Sequence, residues 1–384
     1  MISDKKQPGV PEQHATRAIF FVGGFGAASW APLVPLLKAR LGIAEDVLGM
    51  LLLCIGIGSL LTMPMSGAAA VRLGCRKVLT AAGLVYAVLL LSLCTVSSFG
   101  MAVPLLLIFG ATMGCIDVVV NIQAVIVEKA AGRRLMSGMH ALWSVGGFAG
   151  AGLFGIWVGT FALTPLLSTI IAAAIMVLVT LAASRHLLPY GGDAGGKLLA
   201  LPKGIVTFVG IIACIAFLVE GAIMDWGGVF LTTVRHFDMS LAGTAFTVFS
   251  AAMLTMRLFG DWTVQKLGQE RVVIGGSLLA VAGFLLVIFA AEPALLYLGF
   301  FAIGIGCANV VPVFFSLLGK QRVMPVSLAV PAVSTLGYLG ILMGPAVIGF
   351  IAHQTSLYTA FGLLAFLVLL QSIIAAYVYR HILD

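Results

Sequence analysis

Long apolar stretches recur along the whole chain and alternate with short polar segments. Each is long enough to form a helix of about 20 residues, the length that crosses the hydrocarbon core of a bilayer. The twelve stretches run near 17–38, 46–70, 78–97, 101–127, 136–160, 163–184, 204–231, 240–260, 272–291, 294–319, 326–352 and 357–379. They lack the polar–apolar alternation of membrane β-strands. The pattern therefore predicts an all-α membrane protein with twelve transmembrane helices.

The composition agrees with this interpretation and excludes an ordinary soluble fold. Hydrophobic residues make up 61% of the 384 residues and charged residues only 9%, against about 25% charged in soluble domains. The net charge of +7 would suggest nucleic acid binding in a soluble protein. Here the basic residues lie in short loops between the apolar stretches, where they determine topology.

The distribution of Lys and Arg predicts the orientation of the chain. If the N-terminus is cytoplasmic, the outer loops hold only Lys38, Arg40 and Arg235, and the other 18 of the 21 basic residues are cytoplasmic. Because loops rich in Lys and Arg stay inside, we expect a multi-pass inner-membrane protein with both termini in the cytoplasm.

The chain divides into two similar halves. We predict a cytoplasmic tail at 1–16, a six-helix bundle at 17–187, a cytoplasmic linker at 188–203 and a second six-helix bundle at 204–384. Within the linker, the stretch 191–198 (GGDAGGKL) nearly matches a phosphate-binding loop. It has Leu where that motif needs Ser or Thr, and no strand precedes it, so we do not expect nucleotide binding.

Short motifs recur between the halves at offsets near 194. Leu73-Gly74 recurs as Leu267-Gly268, Gly110 as Gly304, Trp30 as Trp226, and 141–146 (ALWSVG) as 332–337 (AVSTLG). Six helices per half give both copies the same orientation. Such parallel repeats place a substrate site between the halves, near the middle of the membrane.

The segment after the second apolar stretch carries a loop motif, 67–77 (GAAAVRLGCRK). On it the chain resembles the major facilitator superfamily, whose loop motif is matched by Gly67, Arg72, Gly74, Arg76 and Lys77. Val71 stands where that family has Asp, so the gating ion pair built on that Asp is not carried over. The stretch 257–268 (RLFGDWTVQKLG) is a degenerate second copy. The resemblance implies a twelve-helix fold, alternating access and a cavity lined by helices one, four, seven and ten.

Two further segments are similar to a narrower branch, the MosC-like (rhizopine-transport-protein-like) proteins, which are relatives of the fucose-permease group. They are 114–128 (GCIDVVVNIQAVIVE), followed by His140, and 220–226 (EGAIMDW). This resemblance implies a sugar-like solute but does not fix it, because one fold carries many functions.

Three carboxylates lie well inside apolar stretches, where ionisable groups are costly and usually functional: Asp117, Glu220 and Asp225. Burial raises a carboxyl pKa toward the working pH, which suits a proton carrier. Asp117, Asn121 and Glu128 lie within about 40° of one another on a helix. We expect Asp117 to serve substrate binding or proton coupling, and Glu128, close to two arginines, to form a structural ion pair or gate contact.

Glu220 and Asp225 point about 140° apart on one helix. Both would face one cavity only if the glycines nearby broke that helix. We rank Glu220 as the deeper, functional group and expect Asp225, beside Trp226, to anchor an outer gate.

The remaining polar candidates each have two interpretations. His140 is either a satisfied buried histidine or a site residue. Asn121 and Asn309 offer donors and acceptors suited to a hydroxyl-rich ligand. Trp30 and Trp226 would stack on a sugar face or anchor helices at the membrane interface.

Arg257 and Asp261 are one turn apart, and we expect them to form a surface pair. We expect no Lys or Arg deep in a span, so the cavity should be acidic or neutral. An anion would then lack its counter-charge, and a neutral polyol, a sugar derivative or a cation would fit better. The six cysteines form no CxxC pair, so we expect no metal site, and we expect no cofactor.

The sequence thus predicts a secondary transporter, not an enzyme, that moves a small polar, sugar-like solute together with protons and acts as a monomer. An exporter of drugs or metabolites in exchange for protons is the first alternative. A non-transporting receptor or sensor is an alternative of another class, although such proteins usually need an appended soluble domain, which we do not expect here.

Overall fold

The computed structural model is built of helices throughout the residues that it describes, which are 7–43, 45–192, 201–237, 241 and 243–381. The first half contains α1 Val10–Trp30, α2 Leu33–Leu41, α3 Glu45–Thr95, α4 Phe99–Ala131, α5 Met136–Gly159 and α6 Pro165–Ser184. The second half contains α7 Ile205–Val229, a π-helical turn Phe230–Val234, α8 Thr244–Leu258, α9 Gly260–Leu267, α10 Gln269–Phe289, α11 Pro293–Cys307, α12 Val310–Leu318, α13 Val326–Gln354 and α14 Leu357–His381.

Ten helical stretches in the described residues are long and apolar enough to cross a membrane. One of them holds two crossings, because α3 is broken at Gly74, where φ is 83°. Before this break, Ile55 lies against Gly110 of α4, and after it, the ring of Tyr86 stacks on Phe109 with centroids 4.6 Å apart. The chain therefore turns back at Gly74. With the shorter apolar helix α8, the described helices account for the twelve predicted spans.

The internal repeat is visible in the backbone of both halves. Gly74 has φ 83° and ψ 150°, and Gly268, 194 residues later, has φ 86° and ψ 152°. A side chain at Gly110 would overlap the carbonyl of Ile55, and one at Gly304 would overlap the carbonyl of Phe249. These two pairs are also offset by 194 residues. The repeat predicted from the sequence is therefore confirmed.

Two of the three basic residues predicted for the outer loops take equivalent places in the two halves. Arg40 donates to the carbonyl of Val96 at 2.8 Å, just past the end of α3. Arg235 donates to the carbonyls of Val287 and Ile288, at 2.9 and 2.7 Å, in the last turn of α10. Each guanidinium thus satisfies carbonyls at a helix C-terminus and complements the negative end of the helix dipole.

The described residues form two compact units. Unit 1 comprises Met1–Arg133, Met139–Ala200 and Pro325–Pro331, and unit 2 comprises Arg134–Gly138, Leu201–Met324 and Ala332–Asp384. The predicted boundaries of tail, bundles and linker remain predictions. Within the tail, α1 already begins at Val10. Most of the stretch 191–198 lies outside the described residues.

Each unit has its own core. In unit 1, Phe109 of α4 contacts both Tyr86 and Trp30, whose ring centroid is 5.9 Å away. In unit 2, Phe361 of α14 stacks on Phe230 at 4.5 Å and meets Phe284 of α10 edge-on.

Small residues bring α5 close to α1. A Cβ at Gly146 would overlap the carbonyl of Phe21, and a Cβ at Gly150 would overlap the carbonyl of Phe25. By contrast, a Cβ at Gly147 or Gly152 would meet nothing within 4 Å. Close packing through small residues is a common source of helix association in membranes, and here only part of the glycine run contributes to it.

Candidate functional site

A polar network in unit 1 joins α4 to α5. Asp117 and Asn121 are one turn apart on α4, and the Asn121 amide donates to the Asp117 backbone carbonyl at 2.9 Å and to its carboxylate at 3.3 Å. The Asn121 Oδ1 lies 3.1 Å from Nε2 of His140 on α5. Asn121 is fully buried and His140 nearly so. The structure therefore brings together three residues that the sequence singled out.

The hydrogen bonds fix the polarity of this network. A backbone carbonyl can only accept, so the group that Asn121 turns toward Asp117 must be its NH₂. Its oxygen then faces His140, which must present an N–H at Nε2. The network thus runs in one direction, with His140 donating to Asn121 and Asn121 donating to Asp117.

The ring of His140 also contacts an aromatic residue of α1. Phe20 of α1 lies 4.9 Å from the His140 ring centroid, tilted by 48°. His140 is therefore buried and hydrogen-bonded, and its part in the site remains a prediction. Phe20 was not singled out in the sequence, because an apolar residue within an apolar helix carries no distinguishing pattern.

The second cluster lies in unit 2 and contains an ion pair. Arg257 of α8 approaches Glu220 of α7 with 3.8 Å between Nη2 and Oε2, and its Nε donates to the Ala308 carbonyl at 3.1 Å. The Arg257 side chain is only 9% exposed, whereas that of Glu220 is 32% exposed. The expectation that no Lys or Arg lies deep in a span is therefore wrong.

The surface position predicted for the pair of Arg257 and Asp261 is wrong, because Arg257 is buried, whereas their pairing remains a prediction. Asp261 accepts hydrogen bonds from the backbone N–H groups of Ser137 and Gly138, both at 2.9 Å. These groups lie in the first turn of α5 and in the segment that belongs to unit 2. A carboxylate there complements the positive end of the helix dipole.

Asn309 sits at an interruption between α11 and α12. It is 3% exposed, and within the described residues neither its Oδ1 nor its Nδ2 has a hydrogen-bond partner. The carbonyl of Ala308, just before it, is the one that accepts from Arg257. Buried amides without a partner usually mark a place where water or a ligand binds.

The other candidates lie apart from these clusters. Asp225 is exposed near the end of α7, which runs unbroken through Gly221, so the helix break that would align Asp225 with Glu220 is absent from α7 as described. Trp30 is 6% exposed and packs inside unit 1, so its role as an interfacial anchor is wrong. Trp226 is half-buried, with its ring against Gly349.

The loop motif has one buried and one exposed part. Gly67 and Gly74 are buried, and a Cβ at either would overlap a backbone carbonyl, that of Ser327 or that of Pro189. The basic members of the motif are exposed: Arg72, Arg76 and Lys77. Glu128 is buried in the last turn of α4, and its part in a gate remains a prediction. Within the described residues, no group of His, Cys, Asp or Glu side chains could hold a metal ion.

The chain matches the family model of the Major Facilitator Superfamily over residues 18–320 and 209–382. It is 46% identical over 366 residues to an uncharacterised MFS-type transporter of Yersinia pestis, with 94% of each chain covered. It is 28% identical over 344 residues to the membrane protein MosC of Rhizobium meliloti, covering 88% of this chain and 83% of the relative. Among solved structures, the fucose:proton symporter of E. coli superposes with a TM-score of 0.79 at 16% identity, covering 96% of this chain and 98% of that one.

Proposed function

Because the chain belongs to the Major Facilitator Superfamily, whose members are transporters, we propose that it moves a small, sugar-like polar solute across the inner membrane by alternating access, coupled to protons. The observation that carries this proposal is the directed network of His140, Asn121 and Asp117. The solved fucose:proton symporter shares the fold. It lends support to a sugar-like solute only by analogy.

The chemistry of the network suits both solute binding and proton coupling. Amide and imidazole groups can donate to or accept from sugar hydroxyls. Asp117 lies in the middle of α4, which is one of the membrane-spanning helices. A carboxyl group in such a position can alternate between a charged and a neutral form as the solute binds and leaves. Proton and solute binding are then linked, because each changes the free energy of the other.

Proton coupling through Asp117 is tested by Asp117→Asn, which mimics the protonated carboxyl group while nearly keeping its shape. We expect this variant to retain solute exchange but to lose accumulation driven by a pH gradient. The measurement is a paired assay in proteoliposomes, counterflow and gradient-driven uptake, with labelled sugars and polyols as solutes. Glu292→Gln, at an exposed carboxylate just before α11, is the control and should keep both activities.

Two results would count against this assignment. Full gradient-driven accumulation in Asp117→Asn would remove Asp117 from the coupling role. If Glu220→Gln instead gave exchange without accumulation, the proton carrier would be Glu220.

A further inference from the structure

The buried arginine in unit 2 changes the class of solute that the protein can take. The sequence favoured a neutral solute or a cation because no buried basic residue was expected, yet Arg257 is enclosed beside a helix interruption. We propose that Arg257 and Asn309 bind the anionic group of a small hydroxylated acid when Glu220 takes up a proton. This inference rests on the proposed transport function, specifies its solute class and adds a second linked proton, on Glu220, to the one proposed for Asp117.

The geometry of the ion pair leaves room for exchange. A tight charge-assisted hydrogen bond between nitrogen and oxygen measures about 2.7–2.9 Å, whereas Arg257 and Glu220 are 3.8 Å apart. Arg257 also donates from its Nε to the Ala308 carbonyl, and this hydrogen bond holds the guanidinium in place. Glu220 is the more exposed partner, with 32% of its side chain accessible against 9% for Arg257. The carboxylate that the solute would displace, that of Glu220, is therefore the accessible partner of the ion pair.

The neighbouring amide supplies further hydrogen-bonding groups. Asn309 follows Ala308 directly, and both polar atoms of its buried side chain lack a partner within the described residues. A guanidinium binds a carboxylate through a planar pair of N–H groups, and an amide can donate to and accept from an adjacent hydroxyl. Because Arg257 binds the carbonyl of the residue before Asn309, we expect an acid with a hydroxyl next to its carboxylate to reach both side chains.

Electrostatics links the anion to the proton. A buried guanidinium is strongly disfavoured when its compensating charge is removed. When Glu220 is protonated, its charge no longer compensates the charge of Arg257. An incoming carboxylate then compensates the charge of Arg257 in its place. Proton and anion therefore favour each other's binding. Among the described residues, the thiol of Cys307 at the end of α11 lies near both Glu220 and Arg257, Asp225 lies further along α7, and Asp261 lies one turn beyond Arg257.

The test measures binding to the full-length purified protein by calorimetry and by thermal stabilisation. The probes are matched pairs that differ in the carboxylate: D-gluconate with D-glucitol, D-galacturonate with D-galactose, and D-glycerate with glycerol. We expect at least one acid to bind more tightly than its uncharged partner at pH 6. Its affinity should fall with rising pH by up to about tenfold per pH unit for each linked proton.

Three variants separate the parts of the proposal. Glu220→Gln should keep acid binding but lose the part of its pH dependence that Glu220 contributes, and Arg257→Gln should weaken acid binding by on the order of 100-fold. Because a lone buried charge can prevent folding, the double variant Glu220→Gln/Arg257→Gln provides a neutral pair. It should fold and also lose acid binding. Glu292→Gln should leave both affinity and pH dependence unchanged.

The outcomes distinguish the failure of this inference from that of the transport function. If the uncharged partners bind as tightly as the acids and the double variant keeps that binding, the anion site is wrong and sugar transport stands. If acids bind but Glu220→Gln keeps the full pH dependence, the proton link to Glu220 is wrong. If no acid exceeds its uncharged partner at either pH 6 or pH 8, the inference is overturned.

Discussion

At the scale of single residues, contacts along one helix were predictable and contacts between helices were not. Asp117 and Asn121 are four positions apart, and this spacing alone places them one above the other. Their link to His140 crosses from α4 to α5, which no periodicity within one helix can reveal.

The same limit explains the error at Arg257. Helical spacing offered Asp261 as its neighbour, one turn along. In the structure, the side chain is buried and also extends to Glu220 on α7 and to the carbonyl of Ala308. Whether an arginine near the end of an apolar stretch faces water or a neighbouring helix depends on which face that helix buries, and this was not visible in an almost uniformly apolar sequence.

The directed network makes a prediction for His140. Replacing it by Phe leaves the buried Oδ1 of Asn121 without its donor, which costs about 1–3 kcal/mol. His140→Gln can still present an N–H and should lose less. The thermal unfolding midpoints of purified His140→Phe and His140→Gln would show this order. Equal midpoints would mean that the donor role assigned to Nε2 is incorrect.

At the scale of elements, the glycines of α5 differ in what they contact, and this too is testable. A methyl group at Gly150 would overlap the carbonyl of Phe25 and approach Ser29. Gly150→Ala should therefore push α5 from α1 and destabilise the protein by about 1–3 kcal/mol.

Gly152→Ala is the matched control, two residues along the same helix. Its added methyl group would meet nothing within 4 Å, and alanine is the better helix former. We expect this variant to unfold at the wild-type temperature or slightly above it, as measured by size-exclusion chromatography after heating. If both alanine variants behaved alike, close packing of α5 on α1 would not contribute to stability.

The ends of elements were less predictable than their existence. All twelve predicted spans have helical counterparts among the described residues, because a run of about 20 apolar residues is a strong signal. The interruption at Asn309 was missed, however. The signal was Pro312, which has no N–H to donate to the carbonyl four residues earlier, that of Ala308.

At the scale of the whole molecule, the orientation in the membrane remains a prediction with a direct test. A C-terminal fusion to a reporter that is active only in the cytoplasm should be active, and a fusion to a periplasmic reporter should be inactive. The reason is the excess of 18 basic residues on one side over three on the other. Activity of the periplasmic reporter alone would refute both the cytoplasmic C-terminus and the even number of spans.

The places of the exceptional arginines strengthen that expectation. Arg40 and Arg235 are bound to helix ends, so in each half a structural role accounts for the basic residue that departs from the charge rule. The sequence showed them only as exceptions to the charge rule, since the carbonyls that they bind lie more than 50 residues away along the chain.

The turn at Gly74, and its counterpart at Gly268, also constrains how the protein is made. Each joins two helices through a single residue. So short a connection gives the first helix little freedom to take its place in the bilayer independently of the second. We therefore expect the two helices of each pair to enter the membrane together, as a hairpin. A longer side chain at either glycine would then reduce the yield of inserted protein before it affected the transport rate of the molecules that do assemble.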